Sequence, residues 1–326
     1  MTVLLASRIK AEHVECSCLL LQLNLKSAMV GIERVCVFGA GTLGWQIALQ
    51  CASHAHPVNL YDISPEALKN ARRNIENELE SWVEAGAMTE KTRKAAIQLI
   101  RFEQDPSKAV AGVDLVIEAV PERLDLKRKV FKELDAACSP DTIISTNSSS
   151  IRVSLIDDAT RRMDRVLNTH FYSNPWRSHI VELMRGHTTS DETMTSVGVF
   201  MRSIGMLPLV VSKESTGFIF NRVWRAVKRE CLHLVDDGIA SYEDVDRAWM
   251  SYYGTKMGPF GLMDKVGLDV VRDIENVYYG ESGDPRDAPP RLLLDKIEKG
   301  ELGVKTGKGF YSYPNPAFLD SGFIEP

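Results

Sequence analysis

Between Arg34 and Ala52 the chain passes from an apolar run, Arg34-Val35-Cys36-Val37-Phe38, through Gly39-Ala40-Gly41-Thr42-Leu43-Gly44, into Trp45-Gln46-Ile47-Ala48-Leu49-Gln50-Cys51-Ala52. The first run has the continuously apolar, β-rich character of a parallel strand buried on both faces, and the last has helical spacing. Strand, glycine turn and helix in that order are the setting that a G-x-G-x-x-G pattern requires. Gly39 permits the tight turn, Gly41 lets backbone approach a pyrophosphate, and Gly44 lets the helix pack on the strand with its N-terminus aimed at the anion. Thr42 and Leu43 are counted with these glycines as cofactor-binding residues. A second strand, Val58-Asn59-Leu60-Tyr61, ends in Asp62, eighteen residues beyond Gly44. That is the distance expected of an acid that accepts the hydroxyls of an adenine ribose. Its charge repels a 2′-phosphate and no arginine follows it directly, so the pattern favours NAD over NADP.

Downstream, apolar runs alternate with amphipathic stretches. Pro65 to Gly86 and Glu90 to Ile100 read as helices, Val113 to Val120 as a buried strand, Leu126 to Ala137 as a helix, and Thr142 to Ser145 as another strand. Such alternation implies an α/β fold, a Rossmann-type doubly wound parallel sheet. Ligands of these sheets sit outside the carboxyl ends of the strands. The polar clusters there are Pro121-Glu122-Arg123 and Thr146-Asn147-Ser148-Ser149-Ser150, which are equally ordinary as capped loops. From Phe218 onward the spacing of Val223, Ala226, Val227, Cys231, Leu234 and Val235 is helical and Gly238 suits a C-cap, so an all-helical C-terminal domain follows the sheet. Residues 1–30 are expected to be an extension outside the fold.

The run Val166-Leu167-Asn168-Thr169 leads to His170, and Glu182 stands twelve residues later in Ile180-Val181-Glu182-Leu183-Met184. Adjacent strands can bring the two together. Oxidation of an alcohol needs a base that titrates near neutrality, which histidine provides, and a carboxylate on the other ring nitrogen fixes the tautomer and stabilises the imidazolium. With these residues on the page the chain resembles the L-3-hydroxyacyl-CoA dehydrogenase family from about Ile32 to Tyr313. Further markers are Val116 to Glu122, Thr146 to Ser150, Gly217 to Arg222, Met257 to Asp264 and Lys305 to Tyr311. The resemblance implies a nucleotide domain over 31–209, a helical substrate and dimerisation domain over 210–326, NAD-dependent oxidation of a 3-hydroxyacyl-CoA and a homodimer. It implies His170 as acid/base with Glu182, Ser149 and Asn221 on the reacting oxygen or the histidine, and Glu122, Lys127 and Asn147 along the nicotinamide half of the cofactor. Asn221 is also a polar residue in an apolar helix, which needs a buried partner.

The chain departs from the family pattern after the histidine. Where the family has His-Phe-Phe-Asn-Pro, this chain has His170-Phe171-Tyr172-Ser173-Asn174-Pro175-Trp176-Arg177-Ser178-His179. Asn174, Arg177 and His179 are therefore candidate substrate residues; Arg177 and His179 could hold a carboxylate or simply be solvated. Glu78 and Ala85 align with a serine and a lysine that contact CoA in the family, leaving acyl-CoA and a free hydroxy acid or other small alcohol both open. A NAD-binding protein with a structural role is the reading of another class, and the intact His170 and Glu182 argue against it.

Composition narrows the partners. Acidic residues number 44 against 39 basic ones, a formal charge of -5, so no overall positive field is available for nucleic acid. No apolar run approaches the ~18 residues of a membrane span. Six scattered cysteines, with one C-x-C, lack both zinc spacing and disulfide density. No metal is expected, and a cytoplasmic, reducing setting fits. Lys305-Thr306-Gly307-Lys308-Gly309 lacks the glycine, the Ser/Thr and the following helix of a phosphate loop and reads as a turn before a short β-like stretch.

Overall fold

A computed structural model describes residues 31–325, and the extension expected over 1–30 lies outside them. The chain divides into two compact units, one ending at Phe218 and the other beginning at Ile219. The first contains β1 (Val35–Phe38), α1 (Thr42–Ser53), β2 (Val58–Tyr61), α2 (Pro65–Glu84), α3 (Glu90–Gln98), β3 (Ile100–Glu103), α4 (Pro106–Ala109), β4 (Leu115–Glu118) and α5 (Leu124–Ala137). It continues through β5 (Ile143–Thr146), β6 (Val166–Phe171), α6 (Pro175–Ser178), β7 (Ile180–Arg185), α7 (Asp191–Ser203) and β8 (Leu207–Val211). The sheet order is β3-β2-β1-β4-β5-β6-β7-β8.

The central strands are largely apolar because both faces are covered. Val35 and Val37 enter a core shared with Ile47, Leu79 and Val197, whereas the alternate residues Cys36 and Phe38 enter a second core with Phe131 and Leu134. This is the two-residue period of a strand buried between helical layers. The helices begin at polar caps: the Ser64 hydroxyl accepts from Ala67 N–H ahead of Pro65, and the Thr89 hydroxyl accepts from Thr92 N–H.

Two features differ from expectation. The helix expected to reach Ile100 stops at Gln98, and Ile100–Glu103 pairs in parallel with β2 as the edge strand β3. The alternation of Ile100 and Phe102 with charged residues carries that strand, but it is too short to stand out against the preceding helix. The sheet is also not parallel throughout. β6 and β7 run antiparallel, and β8 follows β7. Residues 172–179 are too few for the crossover that a parallel pair would need.

The second unit contains α8 (Phe220–Asp236), α9 (Tyr242–Tyr253), α10 (Pro259–Val266), α11 (Leu268–Ser282) and α12 (Arg291–Glu298). Leu232, Met250, Phe260, Met263, Val271 and Leu293 form its core. Gly238, at φ +69°, follows the end of α8, a conformation that glycine adopts at little cost. Buried Lys228 pairs with Glu275 at 3.1 Å, and Arg225 bridges Glu275 and Asp287. The segment 304–313 is a single tight turn with isolated bridges Gly303↔Lys308 and Lys308↔Ser312. Among the described residues no helix is long and apolar enough to cross a membrane.

Asp246 of α9 organises this unit. Fully buried, it accepts from Phe260 N–H (2.8 Å) and Gly261 N–H (3.0 Å) at the start of α10 and from the Tyr311 hydroxyl (3.0 Å). Burial raises its carboxyl to about 6 against the lowering effect of those hydrogen bonds. Asp246→Ala strands three buried donors, so urea unfolding of the full chain should show the helical unit destabilised by about 3 kcal/mol. An unchanged midpoint would contradict this role.

Candidate active site

The glycine turn after β1 has the shape that its sequence implied. At φ +120°, Gly39 lies so close to β4 that a Cβ there would meet the Ala119 carbonyl oxygen at 2.6 Å, and a Cβ on Gly44 would overlap the Gly39 carbonyl. A Cβ on Gly41 would meet nothing within 4 Å, so this backbone faces open space. Helix α1 starts at Gly41 with no side-chain cap, which leaves its first N–H groups for a ligand. Asp62 braces the turn: one carboxylate oxygen accepts from Ala40 N–H and the other from Ser64 N–H, each at 2.8 Å. Thr42 opens α1 and lines the cleft, whereas Leu43 packs against the core. The cleft, of about 570 Å³, is bordered by Gly39, Gly41, Thr42, Asp62, Ile63 and Pro121. An open glycine backbone, free helix N–H groups and a carboxylate at the far rim fit a dinucleotide.

At the ends of β4 and β5 the polar residues are tied to one another. Glu118 and Lys127 are fully buried, with the ammonium 2.8 and 3.0 Å from the two carboxylate oxygens and 3.3 Å from the Val120 carbonyl. Burial pushes the Glu118 carboxyl up, against the charge and hydrogen bond of Lys127. Glu122 lies 3.3 Å from Lys127 and accepts from the Ser148 and Ser150 hydroxyls. Burial raises the Glu122 carboxyl, but the Ser148 hydrogen bond, the Lys127 charge and Ser150 outweigh it and leave it below the usual carboxylate range. Lys127 thus spends its donors holding the loop after β4. Asn147 accepts from Phe171 N–H at 2.8 Å through its side-chain oxygen, while Ser149 is exposed.

The strands place His170 and Glu182 directly opposite each other in the β6–β7 register. His170 Nδ1 lies 2.9 Å from Glu182 Oε2, and both side chains are buried. Nε2 has no hydrogen-bond partner among the described residues. The rings of Tyr172 and Phe218 flank the imidazole with centroids at 4.5 and 5.0 Å. Of the remaining candidates, Asn174, Arg177 and His179 are exposed around the short helix α6, and Asn221 stands in the first turn of α8, in the second unit.

Two residues that hydrogen-bond around His170 and Glu182 are not marked out by the sequence patterns above. Gln46, buried in α1, accepts from Asn174 N–H at 2.6 Å and so joins the glycine-turn helix to the loop after His170. Tyr172 donates its hydroxyl to Glu182 Oε2 at 2.8 Å. The available signals were a glutamine on an apolar helix face and a tyrosine two residues after the histidine.

Comparison with known proteins agrees with this geometry. Residues 34–215 match the family described as 3-hydroxyacyl-CoA dehydrogenase, NAD binding domain, and residues 217–313 match the 3-hydroxyacyl-CoA dehydrogenase, C-terminal domain. The chain belongs to the 3-hydroxyacyl-CoA dehydrogenase family. A probable 3-hydroxybutyryl-CoA dehydrogenase of Bacillus subtilis is 34% identical over 86% of this chain and 98% of its own. A 5-formyl-3-hydroxy-2-methylpyridine 4-carboxylate 5-dehydrogenase of Mesorhizobium japonicum is 30% identical, covering 86% of this chain and 91% of its own. The crystal structure of (S)-3-hydroxybutyryl-CoA dehydrogenase from Ralstonia eutropha superposes with a TM-score of 0.82 at 33% identity, covering 87% of this chain and all of that one. Like its family, the chain is an NAD-dependent oxidoreductase acting on CH–OH groups. A methyl group at Gly41 meets no protein atom but occupies the space that a pyrophosphate needs. Gly41→Ala should therefore keep the wild-type melting temperature and weaken NADH binding about tenfold, whereas Gly44→Ala should lower both; an unchanged NADH titration for Gly41→Ala would remove the turn from the cofactor site.

Proposed function

We propose that the chain interconverts a 3-hydroxyacyl-CoA and its 3-keto form, with His170 as acid/base and Glu182 as its partner. The buried His170–Glu182 pair at 2.9 Å carries this reading. Bound NAD supplies the hydride acceptor. The chain must take the hydroxyl proton, and a tautomer with Nδ1–H donating to Glu182 leaves the lone pair of Nε2 to accept it. The imidazolium so formed lies against an anionic carboxylate sealed from water, where opposite charge acts strongly. Among the described residues the side-chain nitrogen of Asn147 has no partner, and Ser149 has an exposed hydroxyl; these are the groups of the first unit that would hold the reacting oxygen, a role the family resemblance also assigns to Asn221. Glu122 and Lys127 shape the cofactor wall by fixing the loop after β4.

A second reading, a free hydroxy acid as substrate, is favoured by the exposed Arg177 within α6 and His179 at its end and by Glu78. The Glu78 carboxylate accepts from Trp82 Nε1 at 2.9 Å where the family places a serine toward CoA, and a negative charge there opposes CoA phosphates. The Mesorhizobium relative is named for a pyridine carboxylate. NADH oxidation with acetoacetyl-CoA, compared with free acetoacetate, separates the two: turnover of the thioester alone supports the first reading, and of the free acid alone the second.

The helical unit is proposed to form a homodimer. Val270, Ile274 and Val277 are exposed on one stripe of α11, and burying such a stripe against a second copy would remove its apolar surface from water. Light scattering should give twice the chain mass; a monomer at micromolar concentration would refute it. Cys36, Cys51, Cys138 and Cys231 are buried free thiols, and burial pushes Cys51 and Cys231 up to about 12, in keeping with a cytoplasmic setting.

General acid/base action is worth about 10² to 10⁴-fold, so His170→Ala should lower kcat by that range with NADH affinity unchanged. Glu182→Gln should lower kcat without loss of folded protein. Normal turnover in either variant refutes the assignment.

A further inference from the structure

Glu182 is wholly shielded from solvent, and a carboxylate in such a place needs hydrogen-bond donors to offset its lost hydration. Two reach the same atom. Oε2 accepts from His170 Nδ1 at 2.9 Å and from the Tyr172 hydroxyl at 2.8 Å. The geometry is built into the strand: residues two apart leave the same face, and the Tyr172 ring meets the imidazole at 61° with centroids 4.5 Å apart. The phenol therefore does two separable things. Its ring walls in the histidine, and its hydroxyl holds the carboxylate.

We propose that Tyr172 is a positioning residue for the acid/base pair, its hydroxyl fixing the Glu182 carboxylate toward His170 and taking up part of its charge. This rests on the assignment of His170 and Glu182 above. The terminal torsion of a glutamate is broad, and each donor on the carboxylate narrows it. A donor to Oε2 from a short, ring-anchored side chain adds to that hold and favours Oε2 on Nδ1 whether the imidazole is neutral or protonated. Such preorganisation acts on the chemical step. The sharing has a counter-effect: two donors on one oxygen compete for its charge, so loss of the Tyr172 hydroxyl should strengthen the His170–Glu182 bond. The family pattern has phenylalanine at this position, so the hydroxyl is an addition of this chain. Its loss should slow the reaction rather than abolish it.

Tyr172→Phe keeps the ring and removes the donor. With NADH and acetoacetyl-CoA, or acetoacetate where only that is turned over, kcat should fall about fivefold while the KM for NADH and the melting temperature stay unchanged. In a Glu182→Gln background, where the charge is already gone, the same change should cost less than twofold. In the resting protein the His170 Nδ1 proton resonance should move downfield as the competing donor is lost. An unchanged kcat, an equal loss in both backgrounds, or an unmoved resonance would each overturn the proposal. His170→Ala tells the two levels apart. If it abolishes turnover while Tyr172→Phe does nothing, only the role of Tyr172 falls; if it leaves turnover normal, the acid/base assignment itself falls.

Discussion

A carboxylate inside a sheet is tolerated only where partners meet it, and at Glu182 those partners exist because β7 runs antiparallel to β6. The register sets His170 opposite Glu182, and a slip by one residue would turn the glutamate to the other face and away from the imidazole. The reversal is made by eight residues, with Asn174 and His179, both in the left-handed region (φ 56° and 54°), bracketing the single turn α6. Non-glycine residues sit there at a cost, although asparagine and histidine bear it better than most. Gln46 accepts from the Asn174 N–H and so supplies part of what holds the bend. The His170–Glu182 pair is thereby linked mechanically to the helix that begins at the glycine turn.

The rest of the first unit follows from parallel strands delivering their loops to one edge. β1, β4, β5 and β6 all end there, so the glycine turn, the Glu122 loop, Asn147 and His170 come together without being neighbours in sequence. Polar cross-links turn this proximity into fixed geometry. Asn147 ties the loop after β5 to Phe171, beside the histidine, and Glu122 ties the loop after β4 to Ser148 and Ser150. The buried Glu118–Lys127 pair belongs to the same scheme. Two sealed charges cost desolvation that their attraction barely offsets, so its value lies in placement: the ammonium also takes the Val120 carbonyl and approaches Glu122, and the loop is locked by one side chain.

What could be read from sequence and what could not divide along physical lines. The glycine turn, Asp62, His170 and Glu182 were legible because each is a residue type that the chemistry or the backbone requires, at a spacing set by strand and helix geometry. Strands buried on both faces announce themselves as unbroken apolar runs. β3 did not, since an edge strand of four residues borders a helix with no glycine or proline between them. The direction of β7 was equally hidden, because it depends on loop length against crossover length rather than on any residue. Gln46 and Tyr172 went unread for another reason. A hydrogen bond across 128 residues, or one added hydroxyl on a strand, leaves no periodic trace.

The same division separates chemistry from specificity. The His170–Glu182 pair is carried on strands, whose register tolerates little change. Arg177 and His179 in the reversal after His170, and Glu78 on α2, occupy positions where substitutions cost the fold little. A fold of this kind can therefore keep one reaction while its substrate changes. That relatives of similar identity carry names as different as a hydroxybutyryl-CoA and a pyridine carboxylate dehydrogenase follows from this arrangement. Overall similarity reports on the strands, and leaves side chains on loops and outer helices free to differ.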